Sequence, residues 1–135
     1  MKSTTGFSLL ELLIVMAIIA VLIQIAYPAY TVHLVKSRRN QAEISLLHLA
    51  SQLEVFYSLH DSYQGATVEA LGISTYTDDH SYQLTIQSAS DSDYKLAAVP
   101  VGQQAKYDNI CGTLLLDASG SRVASGTADP TSCWS

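Results

Sequence analysis

From Phe7 to Tyr27 the chain is apolar except at Ser8, Glu11 and Gln24. A helix of about 20 such residues crosses the ~30 Å hydrocarbon core of a bilayer. From Ala29 to about His60 there is neither glycine nor proline. Within that stretch Ala42, Leu46, Leu49, Leu53 and Phe56 recur at three- and four-residue steps, flanked by Ala50 and Tyr57. This spacing predicts an amphipathic helix whose apolar stripe packs on a sheet of the same domain. Ile44, Leu47 and Val55 fall off the stripe and make a second, thinner apolar strip. As one helix, Phe7 to His60 would be about 80 Å long. A small head cannot bury all of it, so its greasy first half implies a membrane or a bundle of copies.

The pattern then changes period. Ser81 to Gln87 alternates, with Tyr82, Leu84 and Ile86 on one face. Ser88 to Ser92 makes a turn, and Asp93 to Val99 resumes the alternation with Tyr94, Leu96 and Ala98. This predicts a β-hairpin closed off by Pro100 and Gly102. Thr113 to Asp117 reads as a third strand, Ala118-Ser119-Gly120 as a turn, and Ser121 to Ala124 as a short fourth strand. Strands gathered after one long helix predict an α+β fold: a long N-terminal helix packed by its second half on an antiparallel sheet of about four strands. Residues 61–79, with Tyr63, Gly65, Gly72 and Tyr76, form a structured surface connection.

Composition sharpens this picture. The chain has 135 residues, which suits one domain, and only 14% are charged against 48% hydrophobic, which excludes a disordered chain. The formal net charge is −5. Residues 61–135 hold nine acids against three bases, Lys95, Lys106 and Arg122. A nucleic-acid binder working by bulk charge carries a basic footprint instead.

The apolar run has two membrane readings. A secretory signal has an apolar core of about 7–15 residues and a small-residue cleavage site. Here the run continues through Ile25-Ala26-Tyr27, and Ala26-Tyr27-Pro28-Ala29 makes a poor site of that kind, so a permanent anchor is favoured. Counting positive charge alone, Lys36, Arg38 and Arg39 against Lys2 would leave the soluble part in the cytoplasm. Glu11 is the anomaly. A carboxylate near the start of an apolar helix gains from the macrodipole but still costs free energy in lipid. It reads either as a residue reaching the headgroups or as a charge awaiting a partner in an assembly.

The stretch Gly6-Phe7-Ser8-Leu9-Leu10-Glu11-Leu12-Leu13-Ile14 resembles the class III signal of type IV pilins and pseudopilins. The resemblance implies that a prepilin peptidase cuts between Gly6 and Phe7 and methylates the new Phe7 amine. It implies that Glu11 neutralises the N-terminal amine of a neighbouring subunit, giving the costly carboxylate a partner. The chain departs from the pattern in having Thr5 before the glycine and no glycine between Gly6 and Gly65. Pro28 stands where a pilin helix commonly kinks. The second apolar strip on the helix would then face neighbours in a fibre.

Cys111 and Cys133 are the two cysteines. In an exported domain an isolated pair is most simply a disulfide, which here would contribute about 3 kcal/mol by chain entropy. It also places the head outside the cytoplasm. Two cysteines alone fall short of the four ligands of structural zinc. The loop they close resembles the variable D-region of pilins. Residues Asp108 to Asp117, with Ser132-Cys133-Trp134, look most like the pilins and minor pilins of the PilE type.

No catalytic motif accompanies His33, His48, His60 or His80, and no cofactor site is expected. Asp78-Asp79-His80 and Asp91-Ser92-Asp93 read as turn aspartates rather than a cation site. Lys36, Arg38 and Arg39 read as a solvated face near headgroups, with DNA contact the sharper alternative.

The resulting expectation is a structural subunit of a type IV pilus, a minor pilin, that is not an enzyme. Residues 1–6 are the cleaved leader, 7–28 the membrane and filament-core helix, and 29–135 the head. The head comprises the amphipathic helix (29–60), the connection (61–79) and the sheet with its disulfide loop (80–135). Partners are other pilin subunits, the prepilin peptidase and the inner-membrane assembly machinery. The chain sits single-pass in the inner membrane before assembly and in an extracellular pilus after it, serving adhesion, twitching motility or DNA uptake. The alternatives are a type II secretion pseudopilin and a DNA-binding competence pilin, with Lys95, Lys106 and Arg122 as the DNA contacts.

Overall fold

The structure, a computed structural model, describes residues 6–134. Most of the expected leader, Met1 to Thr5, therefore lies outside the described residues. The chain divides into two compact units, with the boundary between Leu34 and Val35.

The first unit contains the opening of helix α1, which runs from Leu9 to His60. Every described residue from Gly6 to Tyr30 is exposed. The most apolar 18-residue window of the helix has a mean hydropathy of 2.8, and none of it is buried. Helical structure continues through Pro28, which lacks the amide proton that would continue the ladder. Next to this gap the Thr31 hydroxyl donates to the Pro28 carbonyl at 2.9 Å.

The second unit is the head. It holds the remainder of α1, then β1 (Tyr82–Ala89), β2 (Tyr94–Pro100), α2 (Gly102–Tyr107), β3 (Leu114–Asp117), β4 (Arg122–Ala124) and α3 (Pro130–Cys133). The strands form one antiparallel sheet in the order β1-β2-β3-β4. Ala42, Leu46, Leu49 and Leu53 of α1 are completely buried, while Phe56 packs at the margin. The sheet presents Leu84, Leu96, Ala98, Leu114 and Leu116 to the same cluster. Each fully buried leucine contributes about 1.5–3 kcal/mol by leaving water. Helix α1 ends where Asp61 adopts a φ of 56° and its amide bonds back to the Tyr57 carbonyl at 2.7 Å.

Two features depart from the sequence pattern. A bulge between Ile86 and Ser88 carries β1 on to Ala89, past the expected turn. The hairpin then closes tightly, with Ser90 N–H bonded to the Asp93 carbonyl at 2.8 Å and the Ser90 side chain capping Asp93 N–H. The short helices α2 and α3 had no periodic signal. Helix α2 contributes only Gln104 to the interior, and α3 is a single turn capped by Asp129 with Pro130 in its first turn.

Candidate functional site

The base of the cysteine-closed loop is held by a buried polar cluster drawn from three elements. Arg39 of α1 donates through Nε to Asp108 Oδ2 at 2.9 Å and through Nη2 to Oδ1. The Tyr82 hydroxyl of β1 donates to Asp108 Oδ2 at 2.7 Å. Gln104 Nε2, from α2, lies within 3.1 Å of the Val35 carbonyl and the Tyr82 hydroxyl, and 3.2 Å from Asp108. Asp108 is wholly inaccessible and Arg39 is 9% exposed. The hydrogen bond to Asp108 raises the Arg39 pKa further, over the opposing effect of burial. Burial pushes the Tyr82 hydroxyl well above the ordinary tyrosine range.

This cluster corrects the reading of the basic run as a solvated face. Arg39 is inside the head. Arg38 Nε lies 3.3 Å from Asp79 Oδ2 across a half-exposed surface. Lys36 alone of the three is exposed. Asp79 is a turn residue, as its context suggests: it accepts from Ser81 N–H, Ser81 Oγ and Thr77 Oγ1. Burial alone would raise its pKa, but these bonds and Arg38 outweigh burial and hold it below the usual carboxylate value. Asp91 accepts from the Ser62 hydroxyl. No group of metal-ligating side chains occurs among the described residues.

Cys111 and Cys133 form a disulfide with a Cα–Cα distance of 5.6 Å, and both are buried. The two arms of the loop also pair through the backbone. Ser125 N–H bonds to Thr113 O, Gly126 N–H to Cys111 O and Ala128 N–H to Ile110 O. A β-carbon on Gly126 would run into the Ile110 backbone, so this close approach requires glycine. Trp134 Nε1 donates to the Val123 carbonyl at 3.1 Å, tying the C-terminal segment to the edge strand β4.

The three basic residues of the distal head are not gathered on one sheet face. Lys95 is paired with Asp117, and Arg122 with Leu116. Since Leu116 is a core residue, register puts Lys95 and Arg122 on opposite faces of the sheet. Lys95 lines an open groove of about 230 Å³ with Gln87, Leu115, Asp117 and Val123. Arg122 lies over the Trp134 ring, 5.5 Å from its centre. Lys106 sits at the end of α2, 5.8 Å from the centre of the half-exposed Tyr107 ring.

At the other end of the chain, Phe7 is 80% exposed and Glu11 is exposed in the first turn of α1. Gly6 is exposed too, so both sides of the expected cleavage bond are open.

Residues 28–115 match the family described as type IV minor pilin ComP, DNA uptake sequence receptor. Residues 1–27 match the prokaryotic N-terminal methylation motif. Among solved structures, the chain is similar to the non-core minor pilin PilV of Neisseria meningitidis. That similarity covers 72% of this chain and 92% of PilV at 23% identity, with a TM-score of 0.56, and establishes the shared fold. No curated protein sequence matches.

Proposed function

The chain belongs to the type IV minor pilin family of ComP, and from that membership we propose a subunit processed between Gly6 and Phe7 and incorporated into a pilus through α1. The observation that carries this reading is the uncovered apolar opening of α1. It begins directly after the Gly6–Phe7 bond, carries Glu11 as its one charge up to Tyr27, and buries none of its most apolar window. In the precursor this surface is satisfied by lipid, and the chain is a single-pass protein of the inner membrane with its head outside the cytoplasm. In the filament the same surface is satisfied by neighbouring helices. Cleavage creates a cationic amine at Phe7, N-methylated by the same peptidase. Glu11 of one subunit pairs with the amine of another, because a carboxylate in an apolar bundle persists when a cation compensates it. The role is structural rather than catalytic.

Intact mass of the non-reduced protein in sheared surface filaments tests this. The expected species lacks Met1 to Gly6, carries one added methyl and has lost two hydrogens to the disulfide. An uncut chain in both filaments and membranes would overturn the reading. A processed chain confined to membranes would point to a pseudopilin.

The family description supports a second reading, in which the head contacts DNA. The exposed Lys106–Tyr107 pair supplies a cation beside an aromatic face, a combination that grips both phosphate and base. Lys95 and Arg122 would then contribute from separate faces. Binding of duplex DNA by the purified chain at low salt, weakened when Lys95, Lys106 and Arg122 become alanine, is the expected result. Absence of binding at low salt removes this reading and leaves the filament role intact.

A further inference from the structure

The second half of α1 carries two apolar faces. One is the buried stripe of Ala42, Leu46, Leu49 and Leu53. On the opposite side, Ile44, Leu47, Val55 and Leu59 are between 44% and 75% exposed. At 100° per residue these four fall within about a third of the helix circumference, centred away from the core. No part of the head covers them among the described residues.

A helix face made for water carries Lys, Glu or Arg. This one does not. Between Asn40 and His60 the charged residues are Glu43, which is buried, and Glu54, which accepts a hydrogen bond from the Tyr63 hydroxyl at 2.9 Å. The gaps between the apolar residues are filled by Ser51, Ser58 and His48, all exposed and none of them a fixed charge near neutral pH. The result is a long, narrow, nearly charge-free seam, one to two side chains wide.

We propose that this seam seats the apolar half-helix, Phe7 to Tyr27, of a neighbouring pilin subunit. The proposal rests on the filament reading above. Charge selects the occupant. The distal head has nine acids to three bases, and packing it on a neutral seam would strip water from carboxylates without compensation. The opening of α1 has the matching character: uncovered, apolar on all sides and long enough to run along the whole seam. It also has the matching relief. Ile14, Ile18 and Leu22 form an i±4 ridge beside the small Ala17, and these residues line a shallow apolar groove with Val21. Ser51 leaves a notch between Leu47 and Val55 where such a ridge can enter.

The test uses the full chain in cells that make pili. A photo-crosslinking amino acid replaces Val55, filaments are sheared and illuminated, and the crosslinked peptide is mapped. The expected partner peptide lies within the N-terminal apolar helix of a neighbouring subunit. Crosslinks that map to a head segment, or to a non-pilin protein, overturn the proposal. In parallel, the double variant Val55→Glu, Leu59→Glu is followed by intact mass. Both side chains are exposed, so cleavage and the Cys111–Cys133 disulfide should be retained while abundance in filaments falls about tenfold. Undiminished incorporation of this variant overturns the seam. Absence of the wild-type chain from filaments overturns the filament reading instead, so the two failures are distinct.

Discussion

Arg39 and Asp108, separated by 69 positions, meet as a bidentate ion pair inside the head, with Asp108 entirely removed from solvent. Asp108 also receives Tyr82 and Gln104, so nearly all its lone-pair directions are used. The pair therefore fixes α2, and the start of the cysteine-closed loop beyond it, against the second half of α1.

Removing one partner leaves the other buried and uncompensated. Asp108→Ala is expected to lower stability by about 3–5 kcal/mol. Arg39→Met combined with Asp108→Leu should recover most of that loss. Denaturant unfolding of the detergent-solubilised chain measures both, and a single variant as stable as wild type would refute the assignment.

The disulfide should contribute about 3 kcal/mol for a loop of this size. Cys111→Ser with Cys133→Ser is expected to lose that amount. It should also shift tryptophan emission toward that of exposed indole, because Trp134 is held against Val123 beside Cys133. Unchanged emission would mean that the edge-strand contact holds Trp134 without the disulfide.

Alkaline pH should weaken the head. Burial, then the hydrogen bond to Glu54, pushes the Tyr63 hydroxyl up to about 12. Its folded pKa exceeds the ordinary value near 10, so the folded state favours the neutral form. The associated stability, on the order of 2–3 kcal/mol, is fully present below pH ~10 and lost as pH rises toward ~12. Tyr82, raised by burial, acts in the same direction. Tyrosinate absorbance followed alongside unfolding tests this. Ionisation of all eight tyrosines near pH 10 without loss of structure would contradict it.

Gly126→Ala is expected to cost about 1–3 kcal/mol, because the added carbon meets the backbone of Ile110 rather than a side chain that can turn aside. Gly120→Ala has no such clash, and its cost should come only from its φ of 80°. Comparing the two by thermal unfolding separates crowding from backbone strain.

Glu11→Ala is expected to be cut normally between Gly6 and Phe7 but to reach filaments at a much lower level. Intact mass in membrane and filament fractions measures both steps. Incorporation at the wild-type level would count against pairing between Glu11 and a neighbouring amine.

Much of this protein is written in local periodicity. The 3.6-residue recurrence of Ala42, Leu46, Leu49 and Leu53 identifies the buried helix face, because whichever side of a helix is apolar must leave water. The two-residue alternation of Tyr82, Leu84, Tyr94, Leu96 and Ala98 identifies the strands and their inner face for the same reason. The unbroken apolar run from Phe7, interrupted by Glu11, marks the assembly helix without any tertiary information. The cysteine pair was legible because only two cysteines exist to be joined.

Tertiary structure decided the rest. Helix α2 is six residues long and buries a glutamine, so hydrophobic pattern could not announce it. The bulge after Ile86 re-sets the register of the hairpin within an otherwise regular alternation. Above all, Lys36, Arg38 and Arg39 look alike as a sequence run, yet one is exposed, one pairs with Asp79 at the surface and one is buried with Asp108. Hydrophobic burial depends on the character of a single side chain and its local period, so it can be read along the chain. The state of a charge depends on which opposite charge the fold brings to it, and that partner is fixed only when distant elements pack.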